Sequence, residues 1–143
     1  MRTSARALGG VASVAAMISV AMLAPVAAQQ SAPATKVTPL MKEALPEFPG
    51  HEVTILTLDI PPGVSSPAHR HPGHHVFGYV LEGSYKIKVG DGPEMVLTKG
   101  QTFHEAPGQL HAVSANASQT EPAKVLVFMV AESGKPVTVP EKQ

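Results

Sequence analysis

The sequence GVSSPAHRHPGHHVFGYVLEG, residues 63–83, contains four of the seven histidines of this chain. Because successive side chains of a strand point to opposite faces, His69 and His71 would share one face, with Arg70 on the other. Two imidazoles on one face of a strand are half of a site for a first-row transition metal. The residues VFGYVLE that follow are typical of a strand. This stretch therefore predicts a histidine site on a β framework, with further ligands supplied from elsewhere in the chain.

The composition of the chain narrows the classes of protein that it can represent. A length of 143 residues is that of a single domain. The formal net charge is zero and only 15% of residues are charged, so nothing in the charge argues for a nucleic-acid partner, and we expect none. Cysteine is absent, which excludes disulfides and thiolate ligands. Any bound metal must use imidazole, carboxylate, carbonyl or water.

The first 28 residues have the pattern of a secretory signal peptide. Arg2 and Arg6 give a positive start, residues 7–23 are apolar and uncharged, and residues 26–28 are small, as at a cleavage site. An uncleaved membrane anchor is the alternative, but the apolar run is slightly shorter than the ~20 residues that span a bilayer. We predict cleavage, a periplasmic or secreted protein, and no stable membrane insertion after cleavage.

The rest of the chain predicts an all-β protein. Residues 29–49 are read as a flexible Pro/Ala-rich arm with a short helical turn over 40–45, and residues 132–143 as a polar tail with an edge strand at 136–139. Between them, at 50–131, short alternating segments separated by Gly or Pro are typical of a sandwich or barrel. The predicted strands are 52–60, 76–82, 84–89, 94–97, 102–106, 111–114 and 123–131, the last being central and buried on both faces.

Further histidines complete the candidate site. His111 follows the Pro-Gly turn at 107–108 and opens a predicted strand. Three imidazoles converging from two strands would bind Fe, Mn, Ni, Zn or Cu, whereas the alternative is a set of surface histidines in a Pro-rich loop. His74 and His75 are adjacent and would face opposite ways, so at most one can face a metal. We expect His75, or as the second choice His74, to contribute as a ligand or as a catalytic base.

The remaining candidate groups have simpler interpretations. His104 lies within a predicted strand and is assigned a structural role, and His51 is expected to be solvated. Glu105 is a candidate hydrogen-bond acceptor for a liganding imidazole, and Glu82 is read as a surface residue. The predicted core or dimer-facing residues are Phe77, Tyr79, Leu81, Phe103, Val125, Val127, Phe128 and Met129.

Two motifs in this chain resemble those of the cupin superfamily. The first is a glycine, five residues, H-x-H, a glutamate and a closing glycine, matched here by Gly63, His69, His71 and Gly83. The second is a glycine, a Pro-x-Gly turn, a histidine and an asparagine, matched by Gly100, Gly108 and His111, with Pro107 and Asn116 each one place off. The resemblance covers residues 50–131 and implies a small antiparallel β-barrel or jelly roll with the site inside.

The resemblance implies that His69, His71 and His111 are metal ligands. The position of the fourth family ligand, a glutamate, has no carboxylate in this sequence. The family's glutamate falls on Val76. The site would then be either three-histidine with water, or four-histidine if a bulge turns His75 inward.

Cupins have many functions, so the resemblance leaves the activity open. Our first expectation is an exported metal-dependent enzyme that acts on a small oxygen-bearing substrate, as a dioxygenase first and as an isomerase or lyase second. The alternative is a non-catalytic module that binds a small molecule or metal, and a third possibility is a metal-free cupin with remnant histidines. We also expect a homodimer, because small single-domain cupins commonly pair.

Overall fold

The computed structural model describes residues 32–142, and the predicted signal peptide at 1–28 lies outside this range. Within the range, no helix has the length and apolarity needed to cross a membrane. The described strands are β1 (Lys36–Ala44), β2 (His51–Ile60), β3 (Ser65–Ser66), β4 (His69–Arg70), β5 (His74–Glu82), β6 (Ser84–Val89), β7 (Met95–Thr98), β8 (Thr102–Glu105), β9 (Leu110–Asn116), β10 (Ala123–Glu132) and β11 (Val139–Pro140).

These strands form two antiparallel sheets. One has the order β1-β2-β10-β5-β8, and the other has the order β11-β4-β9-β6-β7 with β3 paired to β9. The prediction of an all-β jelly roll is confirmed, although no ladder among the described strands joins the two sheets into a closed barrel. The core lies between the sheets and consists of Leu56, Ile60, Val76, Val80, Tyr85, Ile87, Leu97, Ala123, Val125, Val127 and Met129.

The apolar strand β10 is central, between β2 and β5, but it is not buried on both faces as the sequence predicted. Its side chains alternate between buried and partly exposed positions because the outer face of this sheet has no layer packed on it in the described range. Phe77, Tyr79 and Phe128 lie on that outer face. Val125, Val127 and Met129 are in the core, as predicted.

The predicted helical turn at 40–45 is wrong, because residues 36–44 form the edge strand β1. This strand pairs with β2 from Lys36 to Ala44, with a register shift after Pro39. Proline has no N–H to donate, but a bulge in an edge strand can accommodate Pro39 without the loss of a ladder hydrogen bond.

The polar C-terminal segment is tied to the second sheet. β11 pairs with β4, close to the predicted edge strand. Arg70 makes a two-pronged ion pair with Glu141, at 2.6 Å from Nε to Oε2 and 3.1 Å from Nη2 to Oε1. The third guanidinium nitrogen of Arg70 donates to the Gly108 carbonyl at 2.9 Å. The arginine between the two motif histidines therefore joins the tail to the turn that precedes His111.

Asn116 and Gly83 explain two positions of the family motifs. The Asn116 amide is buried and donates to the carbonyls of Ile60, Pro61 and Glu121 at 3.0, 3.2 and 2.8 Å. It therefore joins β9 to the end of β2 and to the loop before β10.

Gly83 has φ of +68°, and a Cβ there would overlap the carbonyl oxygen of Pro122. Only glycine meets both requirements at position 83 without strain.

Candidate metal centre

The second sheet brings three of the predicted ligands together. His69 on β4 and His111 on β9 are direct partners in the antiparallel ladder, and His71 follows β4 by one residue. One nitrogen from each ring can be chosen so that all three atoms lie within 4.8 Å of one another. The ring centroid of His69 is 4.9 Å from that of His71 and 4.7 Å from that of His111. These three histidines are therefore positioned to bind a metal ion.

Backbone carbonyls determine the tautomers of two of these imidazoles. Nδ1 of His69 is 2.8 Å from the Pro67 carbonyl, and Nδ1 of His71 is 2.6 Å from the Val137 carbonyl. A carbonyl oxygen only accepts hydrogen bonds, so each Nδ1 carries the proton and each Nε2 keeps a free lone pair. This is the arrangement of metal-binding histidines, whose second nitrogen is held by a hydrogen bond.

Burial keeps these two imidazoles neutral. Removal from water lowers the pKa of His69 and of His71, and this effect exceeds the opposing effect of the carbonyl hydrogen bonds. A neutral imidazole is the form that binds a metal. Both rings are therefore available as ligands at neutral pH.

A buried carboxylate lies beside two of the three imidazoles. Glu105 at the end of β8 is 1% exposed. Its Oε1 lies 3.1 Å from Nδ1 of His111, and its Oε2 lies 3.9 Å from Nε2 of His71. Neither Oε2 of Glu105 nor Nδ1 of His111 has a hydrogen-bond partner among the described residues. A metal cation would satisfy both of these buried atoms, so the donor set fits a divalent metal.

The candidate ligands lie in a largely apolar cavity of about 490 Å³ between the sheets. Leu56, Phe103 and Met129 are among its walls, and residues from both ends of the described chain, such as Val37 and Val137, complete the lining. No lysine or arginine lines this cavity within residues 32–142. A bound molecule would therefore meet mainly apolar walls, together with the histidines, one carboxylate and a few hydroxyl groups such as those of Ser65 and Tyr85.

The family model described as "Cupin domain" matches residues 56–129, which is more than half of the chain. This chain is a cupin. Comparison with curated protein sequences gives no match.

Solved structures share the cupin fold with this chain. An uncharacterized conserved protein with a double-stranded β-helix domain from Klebsiella pneumoniae is 23% identical, with a TM-score of 0.53 over 64% of this chain and 76% of its own. Oxalate oxidase in complex with glycolate is 24% identical, with a TM-score of 0.57 over 73% and 54%. A DMSP lyase from Ruegeria pomeroyi is 21% identical, with a TM-score of 0.53 over 64% and 45%. This cupin spans about half the length of these two enzymes, and the likeness shows the fold alone.

The structure does not bring His75 to the cupin site. The β5–β10 ladder runs regularly from His74 to Val80, so no bulge turns His75 inward, and its ring lies on the outer face with Nδ1 3.2 Å from Nε2 of His104. His74 is buried, but its Nδ1 bonds to the Pro72 carbonyl at 2.8 Å. His74 and His75 are both outside the histidine cluster of the described residues. His75 therefore lies apart from the three-histidine cluster, and its predicted role as a ligand or catalytic base gains no support from the structure.

Sequence reasoning missed Tyr85 as a member of the site. Its hydroxyl lies 2.7 Å from Oγ of Ser114 and 3.4 Å from Nε2 of His111, inside the cavity. Burial raises the pKa of Tyr85, so the phenol stays protonated at neutral pH. The alternation of SYKIKV places Tyr85 and Ile87 on one face, and this is the signal that identifies Tyr85 as an inward residue.

Proposed function

We propose that this cupin binds one divalent transition metal through His69, His71 and His111 and acts on a small molecule that reaches the metal through the apolar cavity. The observation that carries the proposal is the convergence of three buried or half-buried imidazoles in that cavity. Iron, manganese, nickel, zinc and copper all accept imidazole ligands. When bound, such a metal would supply Lewis acidity and, if it is redox-active, activation of O₂.

The lining of the cavity supports a substrate class. Because no lysine or arginine lines it in the described range, a second anionic group of the substrate would find no cationic partner there and only neutral hydroxyl donors, such as Ser65, Ser66 and Tyr85. We therefore propose a substrate with a single oxygen donor group, such as a carboxylate, an enol or a phenol, attached to an apolar body. The protonated hydroxyl of Tyr85 is available as a hydrogen-bond donor at the wall. A dioxygenase reaction is our first candidate.

A paired assay of turnover and binding tests this proposal. Metal-loaded protein is mixed with a panel of aromatic monocarboxylates, β-diketones and phenols, and with dicarboxylates of similar size. We expect O₂ consumption with at least one singly anionic compound and none with the dicarboxylates, and we expect His71→Ala to abolish it. Thermal stabilisation by such a compound without turnover would instead identify a non-catalytic binding cupin. Absence of metal uptake would contradict the proposal altogether.

We further propose export and dimer formation. Export is supported by the composition of residues 1–28. An intact mass that corresponds to a chain beginning at Gln29, measured on protein from the exported fraction, would test it.

Dimer formation is supported by the outer face of the first sheet, where Phe77, Tyr79 and Phe128 are 44%, 42% and 37% exposed. Light scattering at micromolar concentration is expected to give twice the mass of one chain, and a monomer mass would contradict pairing.

A further inference from the structure

We infer that Glu105 is the fourth protein ligand of the metal and supplies, from a neighbouring strand, the carboxylate that position 76 lacks. The family motif places its glutamate at position 76 on β5, where this chain has valine. In the antiparallel β5–β8 ladder, the direct partner of Val76 is Glu105. The inference rests on the proposed function, because it assumes a metal at His69, His71 and His111.

The geometry of the β5–β8 pair explains how a carboxylate on β8 can occupy the same space as the family's carboxylate on β5. Direct cross-strand partners have Cβ atoms about 5 Å apart and point to the same face. Val76 and Glu105 are 2% and 1% exposed, and both line the cavity that contains the histidines. A carboxylate on β8 therefore enters the same space as one on β5, and the short side chain of Val76 leaves room for it.

The observed distances suit ligands of one ion. Metal–nitrogen and metal–oxygen bonds of about 2.1 Å separate two ligand atoms by about 3.0 Å at a right angle and by about 4.2 Å when opposite. Glu105 Oε1 lies 3.1 Å from His111 Nδ1, and Glu105 Oε2 lies 3.9 Å from His71 Nε2. Both distances fall within this range, and they place the Glu105 carboxylate beside two of the three histidines.

A purely orienting role for Glu105 does not account for the contacts. An orienting carboxylate accepts a hydrogen bond from the imidazole that it holds. Although Nδ1 of His111 is close to Oε1, that nitrogen makes no hydrogen bond, and Oε2 of Glu105 also lacks a partner among the described residues. A buried carboxylate oxygen without a partner is costly, and a cation beside it removes that cost.

The experiment measures cobalt binding by the full chain. Co²⁺ is titrated into wild type, Glu105→Gln and the control Glu82→Gln, which changes an exposed carboxylate at the end of β5. Calorimetry gives the affinity, and the visible absorption of Co²⁺ reports the atoms bound to it. We expect Glu105→Gln to weaken binding by about 100-fold or more and to change the spectrum, since even loss of an outer-shell partner costs about 10–100-fold. Glu82→Gln should match wild type.

A rescue variant and the stability of the metal-free protein separate a ligand from a structural residue. The exchange Val76→Glu/Glu105→Val returns the carboxylate to β5 and should recover affinity to within about tenfold of wild type. Without metal, Glu105→Gln should melt at or above the wild-type temperature, because an unpaired buried carboxylate is removed. Equal affinity and an unchanged spectrum in Glu105→Gln would overturn this inference while leaving the three-histidine site standing. Failure of wild type to bind cobalt would overturn the proposed site and the inference together.

Discussion

Replacing His69 and His111 together by alanine is expected to lower bound metal from about one equivalent to less than about a tenth. These residues stand opposite each other on β4 and β9, so the double variant removes both sides of the cluster and leaves His71 as its only imidazole. One imidazole, even together with the Glu105 carboxylate, is too small a ligand set to retain a divalent ion through purification. Metal content is measured by plasma mass spectrometry on protein made without a histidine tag.

The outer histidine pair provides a matched control for this experiment. His75→Ala/His104→Ala also removes two neighbouring imidazoles, joined at 3.2 Å, but they lie on the exposed face of the other sheet. This variant should keep the wild-type metal content. Equal loss of metal in both double variants would mean that binding does not depend on the cavity site, and circular dichroism checks that each variant retains its strands.

Gly83→Ala is expected to destabilise the protein by about 2–5 kcal/mol, from two effects that act at the same residue. A left-handed backbone costs a residue with a Cβ roughly 1–2 kcal/mol. Forcing an added atom into packed structure costs about 1–3 kcal/mol more. At Gly83 both apply, since φ is +68° and the new Cβ would overlap the Pro122 carbonyl. Urea unfolding of metal-free protein measures the change in the free energy of unfolding.

Gly50→Ala separates the two contributions. Gly50 has φ of +80°, but a Cβ there meets nothing within 4 Å. This variant should therefore lose only the backbone part, about 1–2 kcal/mol. Equal losses at the two positions would show that contact with Pro122 adds nothing, and the packing explanation for the closing glycine of the first motif would then be wrong.

The features that sequence reasoning predicted well are those encoded by neighbours along the chain. The H-x-H spacing, the Pro-Gly turn before His111 and the alternating strands all depend on local geometry. They led to a sandwich or barrel and to the histidine cluster, and the cupin resemblance that they carry led to the jelly roll. The direction of His75 depended on strand register, because a shift of one residue exchanges the two faces of a strand. The regular ladder between β5 and β10 resolved that choice.

The features that were missed depend on pairing between distant segments. Sequence reasoning placed Glu105 near a liganding imidazole, but it did not predict that Glu105 pairs directly with Val76 across β5 and β8, a register that residues 102–106 alone do not specify. β1 was misread because a Pro-rich composition is typical of mobile segments, whereas pairing with β2 makes it a strand. Tertiary contacts outweigh local propensity in both cases.

The hydrogen bond from His71 to the Val137 carbonyl sets an order of events during synthesis. The two residues are 66 positions apart, and the carbonyl belongs to a segment held in place by the Arg70–Glu141 pair. A ribosome makes the three histidines well before it makes the acceptor that orients one of them. A partly synthesised chain can thus contain all three histidines while the ring of His71 still lacks its hydrogen-bond acceptor. The ligand set is fully oriented only after residues 137–141 have left the ribosome and joined the sheet.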